Sequence, residues 1–331
     1  MSRQSCFHLL SCLLLGLAVA MAATGSGFGQ GYTAPEYDEY QRAVEGGPDT
    51  LLEWYKSHPD SMLREYAVPK FIEWVRTDAG EGKFQEAVAT GEKFLAEIDS
   101  SHFGMLNLTT YSAYNSGQWG KATRYAEKVY QAKPETPEIL KILANSYLRL
   151  SDIPRTVEYG EKFCAEASPG DCFAFYPVIA GYYAERKQWP QADSYARKVL
   201  GTLETVKQPQ GVSEDQWSAY TAKSRADANS IIGKAAFERK AWTSAQGAYQ
   251  KLLRLSSGDS GRKAEAYFYI GMTHWRLEEF TPAMVAFAEG AQLNGGNMVK
   301  LCDEQLQVLY RATHNGSLAG LDVFLEEHPP D

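Results

Sequence analysis

Two segments of this 331-residue chain are nearly the same sequence, placed 70 residues apart. The first, QWGKATRYAEKVY, starts at Gln118, and the second, QWPQADSYARKVL, starts at Gln188. In both segments Trp is followed three residues later by Ala, and Tyr, Ala, Lys and Val then recur at the same intervals. Such internal similarity predicts an array of stacked supersecondary units, because each unit alone is too small to bury its apolar face.

The same spacing recurs along most of the chain. Six small residues mark it at intervals of 35, 34, 36, 53 and 38: Ala87, Ala122, Thr156, Ala192, Ala245 and Ala283. A large apolar residue precedes each by three positions: Phe84, Trp119, Ile153, Trp189, Trp242 and Phe280. We interpret each small residue as lying near the start of the second helix of a helix pair. A small side chain lets two helices cross closely, and a large one fills the gap beside it.

This pattern resembles the tetratricopeptide repeat, with its W-x2-L-G-x2-Y, A-x3-F and P positions. Three units match best in their first helix: Leu140, Leu143, Ala144 and Tyr147; Tyr176, Ile179, Ala180 and Tyr183; Tyr267, Ile270, Gly271 and His274. The first two units match less well, and Asn229 of the fifth stands where a bulky residue is expected. The resemblance covers about Val68 to Asn294. It implies an all-α fold, a right-handed α-solenoid of helix-turn-helix repeats with a groove lined mainly by the first helices.

The pattern also predicts how the chain is divided. We expect a signal peptide at 1–22, a flexible linker at 23–34, N-terminal capping helices at 35–67, about six repeats at 68–295 and C-terminal capping helices at 296–331. A polar insertion at 201–213 should be an exposed loop. Ser213 and Gln216 form a capping box that opens an unusually long first helix. The extra length of that helix either forms a ridge that contacts a partner or has no binding role.

The N-terminal segment HLLSCLLLGLAVAMAA, behind Arg3, is apolar but shorter than the about 20 residues that span a bilayer. The small residues around Ala20 and Ala22 are typical of a secretory signal peptide. An uncleaved anchor and a lipid anchor at Cys12 are the alternatives. The segment WYKSHPDS, from Trp54, resembles the repeat junctions of exported bacterial periplasmic tetratricopeptide proteins. We therefore expect an exported protein, periplasmic or at the cell surface.

The net negative charge of the chain disfavours polyanionic partners. The formal net charge is −8 and the chain has no long basic run, so a nucleic-acid backbone or an anionic lipid surface would be repelled. We expect no nucleic-acid partner, and membrane contact only through the signal segment or a lipid anchor.

The spacing of the cysteine and histidine residues does not indicate a catalytic or metal-binding site. Cys164 and Cys172 flank the turn AEASPGD and either form a disulfide or remain two buried thiols. The chain has no C-x-x-C, H-E-x-x-H, G-x-S-x-G or Walker motif. His274 occupies the Tyr-like repeat position and is predicted to be packed in the core. We expect no enzyme activity, no metal and no cofactor.

The groove-facing side of the first helices supplies the candidate binding residues, taken at helical spacing. They are Asn107, Tyr111, Tyr114, Asn115, Lys141, Asn145, Arg149, Lys234, Phe268, Met272, Trp275 and Arg276. Lys141 and Asn145 resemble part of the carboxylate clamp of tetratricopeptide cochaperones, but Val178 stands where the next clamp residue should be Asn.

Aromatic and basic side chains on one face suit an extended peptide, which predicts a scaffold or adaptor that binds another protein. A carrier of a small molecule or glycan is the alternative. A third interpretation is that this face is solvated and binds nothing. A pocket enclosed by the Ser213 helix would favour the carrier, whereas an open groove would favour the peptide.

Overall fold

The computed structural model describes residues 32–134 and 136–330, and every regular element in these ranges is a helix, sixteen in all. The predicted signal peptide and most of the predicted linker lie outside the described residues. The chain divides into two units between Lys70 and Phe71, a boundary that falls within the third helix. None of the described helices combines the length and apolar character needed to span a bilayer.

The first unit contains α1 (Ala34–Glu45), α2 (Pro48–Ser57) and the start of α3 (Arg64–Gly80). A capping box between Thr33 and Glu36 opens α1, satisfying backbone donors at the helix start. The buried ring of Tyr40 in α1 meets the edge of Trp54 in α2, with ring centroids 5.1 Å apart. This aromatic contact holds the two helices together.

The second unit is built from helix pairs. In chain order they are α3 with α4 (Phe84–Glu97), α5 (Phe103–Asn115) with α6 (Trp119–Ala132), α7 (Pro137–Arg149) with α8 (Ile153–Cys164), α9 (Tyr176–Glu185) with α10 (Trp189–Leu203), α11 (Glu214–Glu238) with α12 (Trp242–Leu255), and α13 (Ser260–Arg276) with α14 (Phe280–Ala291). Each second helix from α4 to α12 also packs against the first helix of the next pair, for example α6 on α7 and α12 on α13. Stacking therefore buries one continuous core, as expected for a solenoid.

Close helix crossing explains the repeated small residues. Each second helix starts at the large apolar residue of the motif, and the six small residues three positions later are fully buried. Within the first helices, a Cβ atom placed on Gly271 would lie 2.6 Å from the Phe287 ring, and one on Gly233 would lie 2.8 Å from the Tyr249 ring. These positions have no room for a larger side chain.

All six turns within the pairs share one backbone geometry. The residue two positions before each second helix has a left-handed conformation, with φ between 57° and 79°: Gly82, Gly117, Ser151, Lys187, Lys240 and Glu278. The next N–H donates to the carbonyl five residues earlier, as from Gln118 to Ala113 at 2.9 Å. This pattern is a Schellman-type C-cap. Sequence inspection missed it because glycine, its usual residue, occurs in two of the six turns.

The insertion begins later than predicted. Helix α10 continues to Leu203, and both Thr202 and Leu203 are buried, so residues 201–203 are not part of an exposed loop. The apolar face of α10 still packs against its neighbours there, which outweighs the presence of Gly201. The predicted capping box of Ser213 and Gln216 does open α11.

The N-terminal extension of α11 packs against a disulfide-closed turn. Cys164 is bonded to Cys172, and the next residue, Phe173, is buried. Its ring centroid lies 5.7 Å from that of Trp217 and 5.5 Å from that of Tyr220. The start of the long helix therefore covers the turn between α8 and α9.

The C-terminal helices α15 (Asn297–Thr313) and α16 (Leu321–Glu327) pack on the last pair. Their shared core is the cluster Ala283, Met284, Phe287, Ala288, Leu306, Leu309, Tyr310 and Leu321. After α15, Asn315 and Gly316 have positive φ and turn the chain back toward α16. The two helices thus cover apolar surface that the last pair would otherwise expose.

Candidate functional site

Equivalent positions in the first helices can be found by counting back from the left-handed turn residue. Ten residues before it stand Ile72, Asn107, Lys141, Pro177, Ser230 and Phe268, and six residues before it stand Arg76, Tyr111, Asn145, Gly181, Lys234 and Met272. Because positions four apart lie on the same side of a helix, the two sets share one face, called here the inner face. Each candidate binding residue either belongs to one of these two sets or follows a member of the second set by three or four residues, which is one helical turn.

A first cavity, of about 420 Å³, opens on the inner face between α3 and α5. Two predicted site residues, Asn107 and Tyr111, line it together with Arg76 and Ile72. Tyr111 is 54% exposed, and its ring meets the edge of Phe84 at a centroid distance of 6.5 Å. The cavity therefore offers an exposed aromatic face, an amide and one cation, groups that can contact a peptide backbone or an acidic side chain.

The other two candidates on α5 are tied to the scaffold. The half-buried ring of Tyr114 packs edge-on against Trp119, with centroids 5.6 Å apart. The Asn115 Nδ2 atom donates to the Tyr111 carbonyl at 2.8 Å. Asn115 remains exposed, whereas much of the Tyr114 ring surface is used in packing.

On α7, two predicted site residues, Lys141 and Asn145, contact other groups of the protein. The Lys141 ammonium lies 3.6 Å from the Asp171 carboxylate in the disulfide-closed turn and 5.7 Å from the centroid of the Phe163 ring. The Asn145 Nδ2 atom donates to the Lys141 carbonyl at 3.0 Å. Lys141 and Asn145 thus lie side by side on the inner face, but Lys141 already has an acidic partner.

Two candidate cations lie over tryptophan rings of the preceding pair. The Arg149 guanidinium is 5.9 Å from the Trp119 ring centroid, and the Lys234 ammonium is 5.8 Å from that of Trp189. Such cation–π contacts are worth about 0.5–1 kcal/mol at exposed sites. Both Trp residues therefore belong to the scaffold and also position charge on the inner face.

The candidates on α13 are placed differently from those on α5 and α7. Phe268, Met272 and Trp275 are partly buried against the C-terminal cluster formed with α14, α15 and α16. Arg276, at the end of α13, is exposed. The first three side chains therefore contribute to the C-terminal core. Their spacing alone could not reveal this, because the cluster includes residues of α15 and α16, which lie outside the repeat pattern.

A second cavity, of about 320 Å³, lies between α9 and α11 with α10 as its floor, and we call it the Gly181 cavity. Sequence inspection missed it, because none of its residues is aromatic or basic. At the position where the other pairs carry Arg, Tyr, Asn, Lys and Met, this pair carries Gly181, and a Cβ atom placed there would meet no other atom within 4 Å. Glycine within a helix costs about 0.5–1 kcal/mol relative to alanine, and packing gives no reason for it here.

The polar groups of the Gly181 cavity are hydroxyls and carboxylates. Ser224 is 6% exposed and has no hydrogen-bond partner among the described residues. The Ser230 Oγ atom donates to Glu265 at 2.6 Å. Asp227 is paired with Lys223 at 2.8 Å and with Arg262 at 2.5 Å. Glu185, at the exposed rim, has no ion-pair partner within the described part of the chain.

A third cavity, of about 310 Å³, is lined by α11 and by the second helices α10 and α12. Arg225, Lys251 and Arg254 line it, together with Glu204. It shares no residue with the inner face and can therefore serve as a reference surface.

Glutamates on the second helices connect neighbouring pairs. Glu127 accepts from Tyr147 of the next pair and from Arg155 at 3.3 Å, and Glu161 accepts from Tyr183 at 2.8 Å. Burial and the neighbouring glutamate raise the pKa of Tyr183 to about 12. The phenol therefore stays protonated at neutral pH and acts as a donor that links the pairs.

The ionisable groups usually found in catalytic or metal sites are engaged or dispersed. The two ring nitrogens of His274 contact Glu279 at 2.5 Å and Gln246 at 2.8 Å. Burial raises the pKa of the Cys302 thiol to about 12. Within residues 32–134 and 136–330, no group of three His, Cys, Asp or Glu side chains is arranged to hold a metal ion.

No family model and no curated protein matches the chain. Several solved structures are similar to it. A tetratricopeptide repeat protein from Parabacteroides merdae is 14% identical over 83% of this chain and 96% of its own, with a TM-score of 0.35. The C-terminal part of a TPR repeat-containing protein from Cytophaga hutchinsonii is 13% identical over 81% and 98%, with a TM-score of 0.40. YrrB, described as a TPR protein with an unusual peptide-binding site, is 13% identical over 81% and 98%, with a TM-score of 0.25.

Similarity at these identities and TM-scores carries no information about function. The repeat period, the buried small residues and the shared turn geometry of this chain identify its fold as an α-solenoid of tetratricopeptide-like helix pairs.

Proposed function

We propose that this protein is a non-enzymatic scaffold or adaptor of the bacterial cell envelope that binds an extended segment of another protein along its inner face. The supporting observation is that two cavities open at equivalent positions of that face, one between α3 and α5 and one between α9 and α11. Between them lies α7, which adds Lys141, Asn145 and Arg149. An extended polypeptide can use several shallow sites of this kind at once, because its side chains are spaced regularly along it.

The exposed aromatic residue in the first cavity gives the most direct test. Replacing Tyr111 with Ala removes a half-exposed ring whose only close ring contact with a described residue is Phe84, so the fold should be retained. Tyr111→Ala should weaken partner binding by about tenfold, typical of losing an interface aromatic worth at least 1 kcal/mol. Tyr66→Ala removes an equally exposed tyrosine outside the cavity and is the matched control.

The measurement is affinity capture of partners from the native cell envelope, with quantitative mass spectrometry and thermal melting of each variant. Reduced capture by Tyr111→Ala, with normal capture by Tyr66→Ala and unchanged melting of both, supports the proposal. Equal capture by both variants contradicts the assignment of the first cavity to the binding face.

Export remains part of the proposal and has its own support. The apolar N-terminal segment is typical of a signal peptide, and the Cys164–Cys172 disulfide suits an oxidising compartment. N-terminal sequencing of the protein purified from a bacterial envelope fraction should find a mature chain that starts near residue 23. A chain recovered from the cytoplasm with its first 22 residues intact would contradict this part.

A small-molecule or glycan carrier is the second candidate. It is favoured by the Gly181 cavity, which is lined by the long α11 helix that starts after Ser213 and has a volume of about 320 Å³. Ligand pockets usually have volumes of about 300–1,000 Å³, so the cavity is at the small end of the range. The carrier would be established instead by two results together. The protein would bind a small ligand saturably, with binding lost when a substitution fills this cavity, and it would capture no protein partner.

A further inference from the structure

We propose that the Gly181 cavity binds a lysine or arginine side chain of the bound polypeptide, an inference that rests on the proposed function and adds the chemistry of one subsite. The apolar stem would lie along Pro177, Ala184 and Ile231, and the cationic head would reach the carboxylates at the rim. Lysine and arginine side chains combine these two characters in one group.

The first step is that the cavity is built to receive a group. Gly181 leaves open space in the middle of a helix, where the equivalent positions of the other five pairs carry side chains. Independently, Ser224 is buried against the same cavity without a hydrogen-bond partner among the described residues. The Ser224 oxygen is not among the fully buried atoms that lack a partner, so this hydroxyl is accessible from the cavity and can form a hydrogen bond with a ligand there.

The second step is that the ligand should be a cation. Both charged residues that line the cavity, Glu185 and Asp227, are carboxylates. Behind Ser230 stands a third carboxylate, Glu265, for which no ion pair with a described residue is found. Of the nearby cations, Lys223 and Arg262 are both paired with Asp227, and the Lys234 ammonium, one turn beyond Ser230, lies 5.8 Å from the Trp189 ring centroid. Glu185 and Glu265 therefore form no ion pair with a described residue, and their negative charge remains available to a cationic ligand.

The experiment uses the full mature chain and defined probes. The probes are positional-scanning mixtures of N-acetylated, C-amidated nonapeptides in which the central residue is fixed as Lys, Arg, norleucine or Glu. Binding is measured by fluorescence polarisation. Mixtures fixed with Lys or Arg should bind about tenfold more tightly than those fixed with norleucine or Glu, as expected for a charge-assisted hydrogen bond in a partly desolvated site.

Two variants connect this preference to the cavity. Gly181→Leu fills the open space, should not lower the melting temperature, and should abolish the preference for Lys and Arg. Gly247→Leu makes the same change in α12, where a Cβ atom also meets nothing within 4 Å, and should keep the preference. Glu185→Gln should lower the preference severalfold without changing the melting temperature, because Glu185 is exposed.

The outcomes separate the two proposals. If peptides bind but norleucine binds as well as Lys, the cationic subsite is wrong while the peptide-binding function stands. If Lys is preferred but Gly181→Leu keeps that preference, the cation is bound elsewhere and the inference is also wrong. If no mixture binds the wild-type chain, the proposed function itself fails.

Discussion

One substitution at two glycines tests the packing directly, because it should have opposite effects on stability. Gly271 in α13 faces the Phe287 ring, and an added Cβ atom would lie 2.6, 2.7 and 2.9 Å from three ring carbons. The Phe287 ring is fully buried, with Phe268 and Trp275 around it, so it has little freedom to shift. Gly181 in α9 has open space at the same Cβ position.

The expected magnitudes follow from two opposing terms. Replacing glycine with alanine within a helix adds about 0.5–1 kcal/mol to the free energy of unfolding. Overpacking a buried contact costs about 1–3 kcal/mol. Gly181→Ala should therefore stabilise the protein by about 0.5–1 kcal/mol, whereas Gly271→Ala should destabilise it by up to about 2 kcal/mol.

The assay is urea denaturation followed by circular dichroism, together with thermal melting of both variants and the wild type. For chains of this size, 1 kcal/mol corresponds to a shift of about 2–4 °C in Tm or slightly less. A Gly271→Ala protein at least as stable as the wild type would refute the close crossing of α13 and α14. A destabilised Gly181→Ala protein would refute the open space on α9.

Two further properties can be measured with little effort. Replacing Cys164 and Cys172 together with Ala should lower the free energy of unfolding by about 2–3 kcal/mol, the chain-entropy value for so short a loop; an unchanged urea midpoint would contradict a bonded pair. Stability should also fall as pH rises from about 10 to 12, because the folded state holds the Tyr183 proton more tightly, with a pKa of about 12 against an ordinary value of 10.0. Below pH 10 this contribution is fully present, and Tyr183→Phe should make the alkaline decline less steep.

Spacing predicted the helix pairs well because it reflects local geometry. Trp119 and Trp189 start their helices, and Ala122 and Ala192 are buried at the crossings, since one period governs both packing and sequence. The shared C-cap was not predicted, because residues such as Lys240 adopt a left-handed conformation under the constraint of the pair. Tertiary packing outweighs the local preference of these residues.

The inner face was harder to predict, since its chemistry depends on contacts between pairs. Helical periodicity placed Asn107 and Tyr111 on one face, and both line a cavity. The same reasoning could not show that Phe268 and Met272 pack against the C-terminal cluster, because part of that cluster comes from helices outside the repeat pairs. It also passed over Gly181, since a search for aromatic and charged groups gives no weight to a missing side chain.

The most direct test of the central claim is photo-cross-linking in the native cell. A p-benzoylphenylalanine residue would replace Asn145 on the inner face or, in a second strain, Lys251 in the third cavity, which shares no residue with the inner face. If the inner face binds a partner polypeptide, the Asn145 variant should form a discrete cross-linked protein adduct and the Lys251 variant should form none. Equal adducts at both positions, or an adduct at Lys251 alone, would contradict the claim.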